Sequence, residues 1–244
     1  MKTVLIYGDL WTDCHTMKAL ISKDSLISAR ICESVSALIY QLSHSPQSCL
    51  ILCLRPHEHV YLFYNIRRRL KKRKVLIVTD RMYYSDQCVM RYFGLSQWLE
   101  RDELIPFIFP ERSGNAPSGG WGRFMRPRLN GDVAGAAEKG EGDGETGEDS
   151  ILSRLNLYAR WNLPAGVKET RYTLLLQLAS CRRAVVLAAQ LNMSPKTVSI
   201  YRRETMFRLN MEPSLVSLYR GLKVLKQLQR TPLMAEYGNL SEKA

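Results

Sequence analysis

Residues 187–209 read LAAQLNMSPKTVSIYRRETMFRL. Ser194 followed by Pro195 marks a helix start. The serine hydroxyl accepts a first-turn N–H that has no other partner, and proline at the first helical position gives up a hydrogen bond that was not available there. From that start the spacing predicts a helix over about 195–209, roughly 22 Å long at 1.5 Å per residue. Val198, Thr205, Met206 and Leu209 recur at the interval of one buried face, whereas Lys196, Ser199, Ile200, Arg202 and Arg203 gather on the N-terminal half and largely avoid it. A shorter helix over about 183–191, rich in small residues (Ala184, Ala188, Ala189), precedes it, and Asn192 and Met193 turn the chain between the two. Two helices joined by so short a turn make the helix-turn-helix pattern, in which the second helix enters the major groove with its N-terminal residues at base edges. The same residues also fit an ordinary amphipathic helix with a solvated basic face, and the pattern alone leaves both readings open.

The rest of 151–230 is helical in pattern. Ser150 is placed to cap a helix carrying Ile151, Leu155, Tyr158 and Ala159, which Pro164 and Gly166 end. A second helix runs through TLLLQLA (173–179), and a long final one spans about Ser214 to Leu228. Charge follows the same division. The net charge is +12, but residues 1–110 hold 15 Lys/Arg against 10 Asp/Glu, 111–150 hold 5 against 8, and 151–244 hold 15 against 5. The basic excess therefore sits with the helix pair, where attraction to a polyanion would need it, although charge alone serves solubility equally well.

Residues 111–150 contain 10 of the 15 glycines. GDVAGAAEKGEGDGETGEDS (131–150) has almost nothing to bury and reads as a flexible acidic linker, while Trp121, Phe124 and Met125 ahead of it can dock locally. Residues 1–110 alternate the apolar runs VLIY (4–7), SLISARI (25–31), CLILCL (49–54), KVLIVT (74–79) and LSQWL (95–99) with helical spacing at Met17/Leu20/Ile21, Val35/Leu38/Ile39/Leu42 and Leu62/Ile66/Leu70. Five strands alternating with helices predict an α/β domain built on a five-stranded parallel sheet covered on both faces. The expected organisation is an α/β domain over 1–110, a linker over 111–150, an all-α domain over 151–230 and a tail over 231–244. No run approaches the ~18 apolar residues of a membrane span. MKTVLIYGD meets Asp9 after too short an apolar stretch for a secretory signal, so a cytoplasmic location is expected. Cys14, Cys32, Cys49, Cys53, Cys88 and Cys181 form no CxxC pair and have no zinc spacing with the four histidines, so no metal or cofactor is expected and the thiols read as reduced.

LAAQLNMSPKTVSIYRRETMFRLNM (187–211) resembles the DNA-binding domain of bacterial LuxR/FixJ/NarL-type transcription regulators, whose pattern runs roughly E-I-A-x-x-L-x-[IV]-S-x-K-T-V-x-x-H-x-x-x-[IM]-x-x-K-L-x-[VI]. Leu187, Ala188, Leu191, Met193, Ser194, Lys196, Thr197, Val198, Met206, Leu209 and Met211 match. Val186 replaces the family's Glu, Tyr201 its His, Arg208 its Lys and Asn210 its usual Gly, and Val167–Arg171 lack its Arg-Glu pair. The resemblance spans roughly 165–228. It implies double-stranded DNA as partner, with Ser199, Ile200 and Arg203 at base edges. Arg203 is suited to a bidentate contact with guanine and Ile200 to a thymine methyl. Ser194, Lys196, Thr197 and Arg202 are implied phosphate contacts, which position without reading sequence. In the family the last helix forms the dimer contact, for which Leu215, Leu218, Leu222 and Leu225 are available unless they are core. A homodimer, or a heterodimer with another LuxR-type regulator, is the implied assembly, nucleoid-associated when bound.

The α/β region resembles a response-regulator receiver. Thr79 ends the fourth strand where receivers keep Ser or Thr, and GLSQWLER (94–101) resembles their G-A-x-G-Y-L-x-K. The phosphorylation chemistry is missing. Leu52 or Cys53 falls where the acceptor aspartate would be, Gly8-Asp9 supplies one acid rather than two, and Arg101 stands for the lysine. Without the nucleophile no aspartyl phosphate forms, and one acid binds Mg²⁺ poorly. Pro106 and Pro110 interrupt the last helix. Residues 1–110 thus read as a degenerate receiver acting by shape, with an unrelated α/β domain as the alternative. Asp9, Asp13, Thr79 and Asp80 come with no phosphate loop, nucleophile elbow or plausible base, so no enzyme and no catalytic residues are expected. RRRLKKRK (67–74) reads as a solvated face, with extra DNA contact or an acidic partner as the sharper alternative. Two functions fit: a phosphorylation-independent DNA-binding transcription regulator, or an interaction protein that pairs with a complete regulator and adds little DNA specificity itself.

Overall fold

The computed structural model describes residues 2–71, 73–109, 120–125, 148–180 and 183–233. The linker expected over 111–150 lies largely outside the described residues, as do Pro110, Cys181 and the tail beyond 233. The N-terminal half alternates β1 (Lys2–Gly8), α1 (Trp11–Ile21), β2 (Ile27–Ile31), α2 (Val35–His44), β3 (Cys49–Cys53), α3 (Val60–Leu70), β4 (Val75–Thr79), α4 (Tyr84–Tyr92), β5 (Trp98–Glu100) and α5 (Leu104–Ile108). Single 3₁₀ turns occupy Pro56–Glu58 and Arg101–Glu103. All four strand pairings are parallel, in the order β2-β1-β3-β4-β5.

Strand alternation divides the core into two layers, because successive side chains point to opposite faces. Leu5, Leu50, Leu52, Val75 and Ile77 join α2, α3 and α4 on one side. Val4, Ile6, Ile51, Cys53, Leu76 and Val78 join α1, α5 and a short α6 (Gly120–Met125) on the other. Trp121, Phe124 and Met125 are buried in that second layer, as their composition suggested. α5 keeps Pro106 within a single short turn of helix and buries only Leu104 and Ile108. α4 has no counterpart among the helices read from spacing. Asp86 starts it, accepting hydrogen bonds from the Tyr83 and His57 amides at 2.9 and 2.8 Å while fully buried.

The C-terminal half holds α7 (Glu148–Trp161), α8 (Glu169–Ala179), α9 (Ala184–Gln190), α10 (Pro195–Arg208) and α11 (Leu215–Gly221), with a 3₁₀ turn at Lys226–Leu228. α7 begins before Ser150, which is therefore a residue of the first turn and not its cap. α7 joins the two halves. Ile151, Leu152 and Leu155 complete the N-terminal layer of α3 and α4, while Ala159 belongs with Tyr84, Tyr172, Leu175 and Met206 in the C-terminal core. The long last helix expected over 214–228 ends at Gly221 instead. A Cβ there would lie 2.6 Å from the flexible Met211 methyl and 3.2 Å from the Tyr83 ring, so α11 approaches the start of α4 closely at this glycine.

Candidate nucleic-acid interface

α10 is built as its sequence demands. Ser194 accepts the Thr197 amide at 3.0 Å, and Pro195 opens the helix. Val198, Thr205, Met206 and Leu209 are buried. Asn192, in the turn before α10, takes a left-handed φ of 52°, and the Met193 amide returns to the Ala188 carbonyl at 2.8 Å. Asn210, at the position where the resembling family keeps glycine, takes a φ of 55° and closes α10 in the same way, Met211 N to Met206 O at 2.9 Å. Asparagine is the non-glycine residue that best tolerates this conformation, so the departure preserves the turn. α9 crosses α10 through buried Leu187 and Ala188 packed on Val198, while Ala189 faces outward.

Lys196, Ile200, Arg203 and Phe207 follow one another at helical spacing along the exposed side of α10. Ser194 and Ser199 are also exposed, the latter with its hydroxyl donating to the Pro195 carbonyl at 3.0 Å. Thr197 and Arg202 are half-buried. The Thr197 hydroxyl meets that of Ser194 at 2.8 Å, and the Arg202 Nε is enclosed without a hydrogen-bond partner. Tyr201 packs beside Leu174, Leu187 and Val198, with the Arg171 guanidinium 4.4 Å over its ring. Arg171 also pairs with Glu204 at 3.1 Å. Arg171, at one of the two positions where the resembling family keeps its Arg-Glu pair, thus ties α8 to α10.

The four leucines expected in a dimer contact separate. Leu218 and Leu222 are core, buried with Tyr84, Tyr172 and Met211, because that side of α11 packs on α8 and α4. Leu225 is half-buried. Leu215 is exposed, beside exposed Val216 and Tyr219. The run 67–74 is only partly a solvated face. Arg73 is buried and closes the C-terminus of α2, donating to the carbonyls of Leu42, Ser45 (2.6 Å) and Ser48 (3.3 Å), while Arg67 stacks 3.8 Å over Tyr64.

At the carboxyl edge of the sheet, β1 ends opposite β3, with Gly8 registered to Cys53, so a thiol stands at the end of the third strand. The nearby acids are each paired. Asp9 accepts from the His59 Nε2 at 2.8 Å, Asp13 from Arg101 at 2.6 Å and Asp80 from Arg55. Burial, the largest single effect, raises the Asp80 carboxyl, but the Arg55 hydrogen bond and charge, with hydrogen bonds from its own amide and from Thr79, together hold the group below its usual value. Among the described residues no group of three His, Cys, Asp or Glu side chains is placed to hold a metal ion.

The C-terminal segment docks on this same edge, a contact no local pattern announces. Arg230 pairs with the buried Glu58 carboxylate at 2.7 Å. His59 bridges Asp9 and the Thr231 hydroxyl, the latter at 3.0 Å. The Gln229 side chain accepts from the Val60 amide at 3.0 Å and donates to the His57 carbonyl at 2.8 Å. His57, wholly buried, donates through Nδ1 to Asp86 at 2.7 Å.

No protein-family model and no curated protein matches the chain. Solved structures do. The two-component response regulator RcsB in complex with DNA superposes with a TM-score of 0.55 at 15% identity, over 91% of this chain and 97% of that one. The chain has the fold of a full-length response regulator. RcsB in two dimers bound to two parallel DNAs gives 0.55 at 14% identity, over 91% of this chain and 97% of that one. RcsB from Salmonella enterica serovar Typhimurium on the rprA promoter gives 0.51 at 14%, over 91% and 98%. At such identities the likeness establishes the arrangement of both halves, a five-stranded receiver-like sheet followed by a helix-turn-helix module. No described helix is long and apolar enough to cross a membrane.

Proposed function

We propose that this chain is a DNA-binding transcription regulator acting in the cytoplasm, on the nucleoid when bound, and that it works without phosphorylation. The observation that carries the reading is α10 itself: a capped helix, held from behind by α8 and α9, that leaves Lys196, Ser199, Ile200 and Arg203 exposed. It occupies the second position of a helix-turn-helix in a fold shared with a regulator solved on DNA. Arg203 and Ile200, with Ser199, read base edges, while Ser194, Lys196, Thr197 and Arg202 hold phosphates. The regions 1–110 and 151–230 serve as regulatory and DNA-binding domains joined through 111–150. Leu215, with Val216 and Tyr219, offers the dimer contact. Cys53 at the end of β3 supports phosphorylation independence, because a thiol there forms no acyl phosphate.

A random-duplex selection at near-physiological salt tests the reading. Enrichment of a two-fold symmetric motif is the expected result. Salt-sensitive binding with no motif would transfer specificity to a partner, as for a co-regulator that pairs with a complete regulator. On the selected site, Arg203→Ala relaxes one base pair at a cost of roughly 1–3 kcal/mol, and Lys196→Ala weakens all duplexes alike and lowers the salt slope by about one. Wild-type binding by both variants would remove α10 from the interface. Incubation with acetyl phosphate leaves the chain unlabelled and its DNA affinity unchanged.

A further inference from the structure

Seven of the eight residues at 67–74 are cationic, and α10 leaves all of them unused. α3 leaves the carboxyl edge of the sheet after β3 and runs back across it. The run therefore stands at the opposite end of that helix from the docked Gln229 and Thr231, roughly 16 Å away at 1.5 Å per residue. Its cations divide by task. Arg73 is structural: besides closing α2 it donates from Nε to the Arg69 carbonyl at 3.0 Å, so the ends of α2 and α3 are fixed to each other. Lys74 donates to the Phe124 carbonyl at 2.8 Å. On this fixed base Arg68, Arg69 and Lys71 are exposed. Arg69 donates from Nε to the Ser43 hydroxyl on α2 at 3.1 Å. Arg67, stacked over Tyr64, donates to the Tyr64 carbonyl at 2.7 Å. Guanidinium groups held in this way lose little freedom when they bind.

The surrounding chain does not neutralise this charge. From Ser34 to Thr79 the sequence holds eight Lys/Arg and one acid, and that acid, Glu58, is buried at the far end of α3 and paired with Arg230. Among the described residues Arg68 and Arg69 meet no carboxylate. A helix C-terminus favours cations in its last turn, yet the run continues past Leu70 to Lys74 with no acid to offset it. The exposed described residues of the run are all cationic, and Leu70 is buried. A protein interface draws on apolar anchors and a membrane surface on inserted apolar side chains, so a face this purely charged best fits a phosphodiester backbone.

We propose that Arg67, Arg68, Arg69 and Lys71 form a second, sequence-independent DNA contact, which grips phosphates away from α10. This contact rests on the DNA-binding function proposed above and deepens it. The run reads no bases. Its cations neutralise phosphates and release counterions, so they add affinity and salt dependence on every duplex alike. The phosphates belong either to the flank of the duplex that α10 holds or to a separate duplex.

The test compares the full chain with its triple variant Arg68→Gln, Arg69→Gln, Lys71→Gln. Both are titrated by fluorescence anisotropy over a potassium chloride series, with a duplex limited to the selected motif and with one extending well past it. The variant is expected to keep the wild-type motif in selection. For a flank contact, its slope of log affinity against log salt falls by about 2–3 on the long duplex only. For a separate duplex, the wild type held on an immobilised short duplex captures a second, labelled duplex and the variant does not. Equal slopes on the long duplex together with equal capture would overturn the proposal. So would loss of binding to anionic phospholipid vesicles with DNA binding intact, which assigns the run to a membrane surface. If selection returns no motif, the role of α10 fails, but arbitrary duplexes of the two lengths still report the slope. If the triple variant does not fold, Arg68→Gln replaces it, since that side chain makes no hydrogen bond among the described residues, and the slope then falls by about one.

Discussion

Raising the pH from about 10 to 12 strips the protein of roughly 5 kcal/mol of stability, through two tyrosines that cannot ionise in place. Tyr84 and Tyr172 are buried and donate hydrogen bonds to the carbonyls of Ala159 and Leu222 at 2.6 and 2.7 Å. Burial, then the neighbouring Cys88 thiol, drives both phenols above their ordinary value of 10.0. The folded state therefore keeps protons that the unfolded chain releases. Their contribution is complete below pH 10 and is lost as the pH climbs from there toward the folded values. The slope is about 1.4 kcal/mol per pH unit for each tyrosine. Total stabilities of about 5–15 kcal/mol leave little margin against such a loss. Denaturant titrations followed by far-UV circular dichroism at several alkaline pH values measure the slope. The double variant Tyr84→Phe, Tyr172→Phe starts lower at neutral pH, because two carbonyls lose their donors, but shows a much flatter decline. An unchanged midpoint in the wild type across that range would mean that these phenols are not enclosed.

Leu155→Ala is expected to cost about 2–5 kcal/mol, the range for emptying a fully buried leucine site. Leu155 has no exposed surface and packs with Ile151 and Leu152 into the layer formed by α3 and α4. The cavity opens where α7 enters the N-terminal half, so both halves lose support together. Leu157→Ala, two residues along on the exposed side of the same helix, is the control, with a change within about 0.5 kcal/mol. Guanidinium titrations followed separately by helical signal and by tyrosine fluorescence should shift in concert for Leu155→Ala. A shift in one signal alone would show that the halves unfold independently.

Much of this architecture was legible in the sequence, and the division follows the range of the interactions. The five strands were readable because each is a contiguous apolar run, and α10 because its cap, its proline and its apolar interval lie within sixteen residues of one another. α4 was not readable. Its initiating Asp86 is satisfied by His57, 29 positions away, and a buried aspartate looks like a surface residue when read alone. The apolar spacing continues past Gly221, where α11 stops, because Leu222 and Val224 are buried beyond the helix without belonging to it. The exposure of Lys196, Ser199, Ile200 and Arg203 on α10 was legible from helical spacing, but the division of the leucines was not, because Leu218 and Leu222 share their interval with exposed Leu215. The clasp between His59 and Thr231 spans 172 positions, beyond the reach of any local pattern.

α7 carries one more consequence. Since its first turns complete one core and its last turns another, α7 itself keeps the halves in register. A protein cut ahead of Glu148 would stay whole through a gel-filtration column, and the two pieces, made separately, should reassemble on mixing. An insertion at the same place, whether a fluorescent reporter or a sensor domain, would leave the placement of α10 against the sheet as it is.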